Sequence, residues 1–390
     1  MLQRRRLVLP NVLLWLIVAL PSSRLVGQPE FGFSGYFVDF PAFQWSKSRV
    51  AQLFKTEERQ FANVTRTRLR PSLTLWTDAQ LSLDYELSIS YHPSTRLFQG
   101  ETEENKRQVV DLTVRSIDDG RWTVLSFVDR LHFKQGFGFG DMTVGRQRIS
   151  WGTGRVWNPT DLFNPISPTS FAKIEKNGVD AALVKFHFGR FTDLSLVFNP
   201  QRGWNTSNTG FRFRTNAVEF DLSMMAGYFD TRAVFGGDFA GNLFEAGVRG
   251  EGIISAMSDD LNESFAKLIL GADYQFTSKL YGMIEYHYNG EGGGDKRSYD
   301  LIRLAKGEII HVGRNYVTAH GSYLLHPLLT GSMGWTCNLN DRSWFAALSL
   351  GFSASDEVSI LLGGQLFLGD EFDEYWYYPH SLYLKADFFF

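Results

Sequence analysis

Arg66, Arg68 and Arg70 stand at alternate positions, the spacing that puts side chains on one face of a β-strand. The other face of the same run carries Thr67, Leu69, Leu73 and Leu75. Arg146 with Arg148, and Arg212 with Arg214, repeat the spacing, and Arg249 and Arg314 stand singly in similar runs. Asp84, Glu86, Glu245, Glu251, Asp273 and Glu285 occupy the polar faces of other alternating runs. A guanidinium keeps its charge at any physiological pH. Cations facing acids across a watery space would therefore set up a permanent transverse field that favours polar or anionic solutes. The same groups on adjacent strands can instead pair across the ladder, Arg66 to Arg70 against Asp84 and Glu86, and stiffen a wall. Both readings can hold at once.

Bond-making chemistry finds little support. His320-Gly321-Ser322 places an imidazole and a hydroxyl on one strand face, but a nucleophile also needs a group to orient its base, and no Asn or Asp has a convincing spacing. The opposite face carries Val317, Ala319, Tyr323 and Leu325, so a polar lining explains the pair. The remaining histidines show no metal-ligand spacing, and Phe137-Gly138-Phe139-Gly140 precedes no helix that would cradle phosphate. No enzyme, metal or cofactor is expected. The single cysteine, Cys337, cannot form an internal disulfide, and a net charge of −3 gives no support to nucleic-acid binding.

The elements that must position these charges are strands. Leu81, Leu83, Tyr85, Leu87, Ile89 and Tyr91 alternate with Ser82, Asp84, Glu86, Ser88, Ser90 and His92, and similar runs cover 266–276, 280–288, 344–352 and 358–368. Each is near the ~10 residues with which a tilted strand crosses a bilayer. Hydrophobic residues reach 44% and aromatics 15%, yet they are spread at every second position rather than gathered into a membrane helix. Backbone groups facing lipid are satisfied only in a helix or a closed sheet, so the expected fold is all-β: a transmembrane antiparallel barrel. The chain ends Leu382-Tyr-Leu-Lys-Ala-Asp-Phe-Phe-Phe390, an apolar-out, polar-in strand on an aromatic carboxyl terminus. Phe388 and Phe390 read as a signal to the barrel-assembly machinery, and this strand should close against a first strand near 31–40. At the other end, Arg4-Arg5-Arg6 and an apolar run from Val12 to Leu20 read as a secretory signal cleaved after Gly27. Residues 1–27 would be removed, and 28–390 would form one domain in the outer membrane of a Gram-negative-type bacterium.

Connections divide into short turns and long loops, the asymmetry of periplasmic and extracellular ends. Asp118 to Arg121, Thr277 to Lys279 and Ser353 to Glu357 read as short turns. The long class comprises 41–60, 93–107, 151–178, 201–210, 290–311 and 369–380. The runs amount to about 16–18 strands. If the 151–178 and 290–311 loops lie at one end, an even number of strands must separate them, but about seven are apparent; the ambiguity falls between Phe211 and Phe235, one strand or two.

Val144 to Pro165 is the most distinctive segment, beginning as a strand and turning into an irregular run rich in Gly, Pro and Asn. Gly145-Arg146-Gln147, Trp151-Gly152 and Asn158-Pro159, Asp161 and Asn164-Pro165 resemble outer-membrane porin-type proteins similar to the alginate-export porins. The resemblance implies a narrowed or partly plugged channel. Trp151, Arg155, Trp157, Asn158 and Asp161 are thus candidates for a constriction loop folded into the bore; the plainer reading is an external loop with its tryptophans in the interfacial belt. The expected function is a channel for passive passage of polar or anionic solutes. The alternatives are an export conduit for an anionic polysaccharide and a non-conducting barrel that anchors or assembles surface material. The partners expected are outer-membrane lipid, the assembly machinery and the solute; no flattened, small-residue outer face that would mark oligomerisation is apparent.

Overall fold

The computed structural model describes residues 29–92, 107–163, 175–203, 206–257, 264–305 and 309–390. The signal segment, most of the 93–107 loop and Asn164-Pro165 lie outside the described residues. Alternation becomes strand throughout: β1 (Glu30–Trp45), β2 (Arg59–Trp76), β3 (Ala79–Tyr91), β4 (Thr113–Asp118), β5 (Trp122–Phe137), β6 (Gly140–Gln147), β7 (Val179–His187), β8 (Asp193–Asn199), β9 (Asn208–Ala217), β10 (Phe220–Phe229), β11 (Arg232–Leu243), β12 (Ala246–Met257), β13 (Phe265–Gln275), β14 (Leu280–Asn289), β15 (Asn315–His326), β16 (Leu329–Asn338), β17 (Trp344–Ser353), β18 (Val358–Leu368) and β19 (His380–Phe389). Two short helices, α1 (Ser48–Phe54) and α2 (Leu301–Ala305), lie in loops, and no described helix is long and apolar enough to cross a membrane.

All pairings are antiparallel between chain neighbours except at β4. Strand β5 pairs with β3, and β4 lies along its other edge only between Thr123 and Phe127, where β6 has already ended. Eighteen strands therefore form the wall, with β4 inserted where β6 falls short. The wall closes when β19 pairs with β1 from Tyr36↔Phe389 to Trp45↔His380, a register shifted toward the far end of the first strand from that expected. Outward positions are apolar: Leu382, Leu384 and Phe388 are exposed, whereas Asp387 is buried on the other face. The start of β1 and the end of β19 lie at the end where connections are shortest.

Eight strands, β7 to β14, separate the 148–178 and 290–314 connections, so the parity closes. Phe211 to Phe235 belongs to three strands joined by two-residue turns at Val218-Glu219 and Asp230-Thr231. Both residues of each turn have positive φ, the conformation hairpins usually assign to Asn-Gly. Neither pair announces a turn by its chemistry, which is why the sequence hides it. Asp118 to Arg121 is a correction: the turn joins β4 to β5 at the end with the long loops, because β4 is an insert.

Candidate functional site

The described part of the 148–178 segment, residues 148–163 and 175–178, folds into the barrel. Ile149, Trp151 and Phe163 pack in one buried cluster with Val179, Ala181, Val197, Met225, Phe229, Val234 and Ile253, which project inward from β7, β8, β10, β11 and β12. Trp157 reaches a second cluster, stacked on His287 with ring centroids 5.0 Å apart and donating its indole N–H to Thr318 Oγ1 at 3.3 Å. Both tryptophans are buried in the bore rather than set in the membrane interface.

Two inward carboxylates hold the segment. Glu251 on β12 accepts from the backbone N–H of Thr153 and Gly154, from Thr160 N at 3.2 Å and from Thr160 Oγ1 at 2.8 Å. Glu285 on β14 accepts from Arg155 N at 3.0 Å, Val156 N at 3.3 Å and Trp157 N at 2.8 Å. Five successive amides thus point at two buried anions, an arrangement that satisfies donors an irregular buried segment would otherwise leave orphaned. The local sequence permits it. Gly152 has φ +97°, and a Cβ on Gly154 would fall 1.9 Å from Trp157 O. Asp161 pairs with Lys176 inside the segment, and Asn158 O accepts from Asp161 N at 3.1 Å.

The arginines are paired. Arg68 lies among four carboxylates: Glu86 at 2.6 Å, Asp129 at 3.0 Å, Glu175 at 3.2 Å and Asp84 at 3.6 Å. Arg66 approaches Glu86 at 3.7 Å, and Arg70 and Arg130 both contact Asp84 and Glu175. Four guanidinium groups thus meet four carboxylates, and the cluster is close to neutral. Glu175 belongs to the inward segment, so the cluster also ties that segment to β2, β3 and β5. Burial pushes the Glu175 carboxyl up, but Arg130, Arg68 and Arg70 together outweigh it and hold it below its ordinary value.

Elsewhere, Arg212 meets Asp238 at 3.1 Å, Arg214 meets Asp193 at 2.9 Å, and Arg249 pairs with Asp273. Arg155 stays exposed on a segment that lies inside the barrel, near enough to Arg249 for the two cations to repel. Arg146 and Arg148 are not a lumen pair. Cross-strand register sets Arg146 beside Leu131 and Asp180 on the outer face, buried under 107–112, where it bonds Asp180 Oδ1 at 2.7 Å and the Val110 carbonyl. Alternation runs unbroken through Gly145, so Arg146 shares its face with Met142 and Val144, and Arg148 lies exposed beyond the strand end. His320 and Ser322 face inward beside Gly334 and Ser332.

At the long-loop end, α1, the 290–314 loop and the 369–379 loop join one aromatic cluster. Val50, Trp157, Tyr316, Phe345, Phe367 and Tyr375 to Tyr378 pack together, and Lys47 Nζ donates to the carbonyls of Phe367 and Trp376 at 3.2 and 3.1 Å. Glu374, fully enclosed, accepts from Tyr316 Oη at 2.6 Å, Asn338 Nδ2 at 2.8 Å and Val312 N at 3.2 Å. Desolvation raises its pKa to about 7 from an ordinary 4.5. A carboxyl whose folded pKa is raised contributes its stability below the unfolded value and loses it as pH rises through the folded one. The loop contacts should therefore be tightest below pH 4.5 and loosen as pH passes 7. Protection factors of 369–379, the exchange rates corrected for their intrinsic pH dependence, should fall over that range, and Glu374→Gln should flatten the dependence; wild-type protection factors that do not change with pH contradict it.

No family model matches this chain, and no curated protein matches it in sequence. Solved structures do. The crystal structure of Pseudomonas aeruginosa OccD3 (OpdP) superposes with a TM-score of 0.53 at 9% identity, over 92% of this chain and 91% of that one. Pseudomonas aeruginosa OpdK, solved with vanillate, gives 0.54 at 9% identity, over 92% and 98%. The likeness is one of fold. It shows that this chain shares their barrel fold and leaves the chemistry of the bore to its own residues.

Sequence reading missed Asp129, Arg130, Glu175 and Glu374 as members of these clusters. Asp129 could not be assigned a face because β5 bulges there, with Asp84 opposite Arg130 and Tyr85 opposite Val128. Glu175 and Glu374 sit in loops, where no alternation gives direction.

Proposed function

We propose that the protein is an outer-membrane channel for small polar solutes, narrowed by residues 148–163 and mildly selective for anions. The observation that carries this reading is the row of amides from Thr153 to Trp157 bonded to Glu251 and Glu285, which fixes an irregular segment across the bore. The likeness of fold to OccD3 and OpdK supports it, and the vanillate bound to OpdK suggests small carboxylates as solutes to try first.

Selectivity belongs to Arg155 rather than to the ladder on β2 or to Arg249, which Asp273 neutralises. Arg66, Arg68 and Arg70 are neutralised within ~4 Å, where opposite charges cancel as seen from a distance. Arg155→Ser should move the reversal potential under a salt gradient toward cation preference, while Arg66→Ser should leave it nearly unchanged. A shift with Arg66→Ser and none with Arg155→Ser would refute the assignment.

A second reading is favoured by one observation. The aromatic cluster of Tyr375 to Tyr378 with α1 occupies part of the long-loop end, as a barrel closed for anchoring or assembly would require. Absence of current from folded protein in a planar bilayer would support it. An export conduit for anionic polysaccharide, the other alternative, would show current that a soluble polyuronate blocks.

A further inference from the structure

The outer wall carries a polar patch that no loop covers. Among the described outward positions of the eighteen wall strands, away from the rims, the charged side chains are Asp39 and the Arg146–Asp180 pair; 107–112 lies over the pair, and Asp39 has no such cover. It pairs across the ladder with Thr65 and with Ala386, an outward position of β19, whereas its chain neighbour Val38 is buried on the inward face. Asp39 lies six residues from Trp45 toward one rim and six from Phe33 toward the other. At ~3.3 Å per residue and a tilt of about 45°, that is ~14 Å from each aromatic edge, close to the middle of the bilayer. Intramembrane carboxylates are costly and persist where a partner satisfies them.

Asp39 is half served by its own chain. Thr65 Oγ1 and Asn63 Nδ2 donate to Oδ1 at 2.6 and 3.0 Å, and Oδ2 takes no hydrogen bond among the described residues. The Asn63 amide oxygen is buried with no donor. Thr67, the next outward position on β2, brings a hydroxyl that makes no hydrogen bond among the described residues. Strand tilt brings Thr67 to within ~2 Å of the depth of Asp39. The patch therefore holds both an acceptor in want of a donor and a donor able to fill it, at one depth. Gly35, Pro41 and Ala386 keep the surface low, and Phe37, Phe43 and Phe61 surround it with exposed apolar area.

We infer that this patch, spanning β19, β1 and β2, is the contact surface for a second copy of this chain. Rotation about an axis along the membrane normal preserves depth, so it can set Thr67 of one copy against Asp39 of the next. Polar contacts of this kind hold membrane segments together where apolar burial adds nothing.

The test uses the full protein extracted from membranes in mild detergent. Its mass should be a multiple of the monomer, and Asp39→Leu, which suits a lipid-facing position and should fold, should weaken association roughly threefold to tenfold per contact. Thr67→Cys in a Cys337→Ser background should crosslink to itself in intact membranes with a short bismaleimide. Monomer mass for the wild type without that crosslink would overturn the inference. So would an unchanged oligomer in Asp39→Leu, or a Thr67→Cys crosslink to a different protein.

Discussion

Replacing both Glu251 and Glu285 with alanine should at least about double single-channel conductance and add noise to the open level. The pair accepts seven hydrogen bonds from the 148–178 segment, six from backbone amides. Each buried amide left without an acceptor costs about 1–3 kcal/mol, so the segment is no longer best placed in the bore. Trp151 and Trp157 keep their aromatic contacts, which is why loosening rather than complete expulsion is expected. The wall should survive: its strands pair through their own backbones, and a buried carboxylate whose donors leave with the loop is costly to retain in any case. Heat-modifiable electrophoretic mobility checks that the barrel is intact. An unchanged conductance in an intact double variant would mean that the segment is not held by these two anions.

Arg68→Met should be the most damaging single substitution among the arginines. It withdraws the shared cation from Glu86, Asp129, Glu175 and Asp84, all within 4 Å and mostly buried. Breaking a buried pair by removing one partner typically costs about 3–5 kcal/mol, because the charge left behind has neither water nor a counter-ion. Arg70 and Arg130 remain near Asp84 and Glu175 and soften the loss, whereas Asp129 keeps, among the described residues, one cation, Arg130 at 3.7 Å, and the Gly178 amide at 3.0 Å. Arg214→Met is the contrast. Its side chain is 48% exposed, so the pair with Asp193 is screened and should contribute no more than about 1 kcal/mol. Unfolding midpoints in urea compare the two directly, and equal shifts would show that burial does not set the value of these pairs.

How much of this was legible follows from where direction is encoded. Alternation tells which way a side chain points, so Arg66, Arg68 and Arg70 could be set opposite Asp84 and Glu86 from spacing alone, and the register does pair Arg68 with Glu86. It fails where the backbone departs from a two-residue period. The β5 bulge turns both Asp129 and Arg130 inward, and the Val218-Glu219 and Asp230-Thr231 turns conceal a strand boundary. The inward course of Trp151 to Asp161 was one of two expectations, because Gly, Pro and Asn mark irregular backbone without saying where it goes. What decides its course lies about 100 residues away, in two glutamates on β12 and β14. Opposite charges at alternate positions also read alike whether they face one another across water or touch. Only distances distinguish a field from a cluster of ion pairs, and here most of the arginines touch their acids.

The measurement that bears most directly on the account is the single-channel conductance of the refolded full-length barrel in a planar bilayer. A discrete open current, well below that of an unobstructed eighteen-strand bore and raised in the Glu251→Ala, Glu285→Ala variant, is the expected result. A folded barrel that passes no current in either form would contradict it.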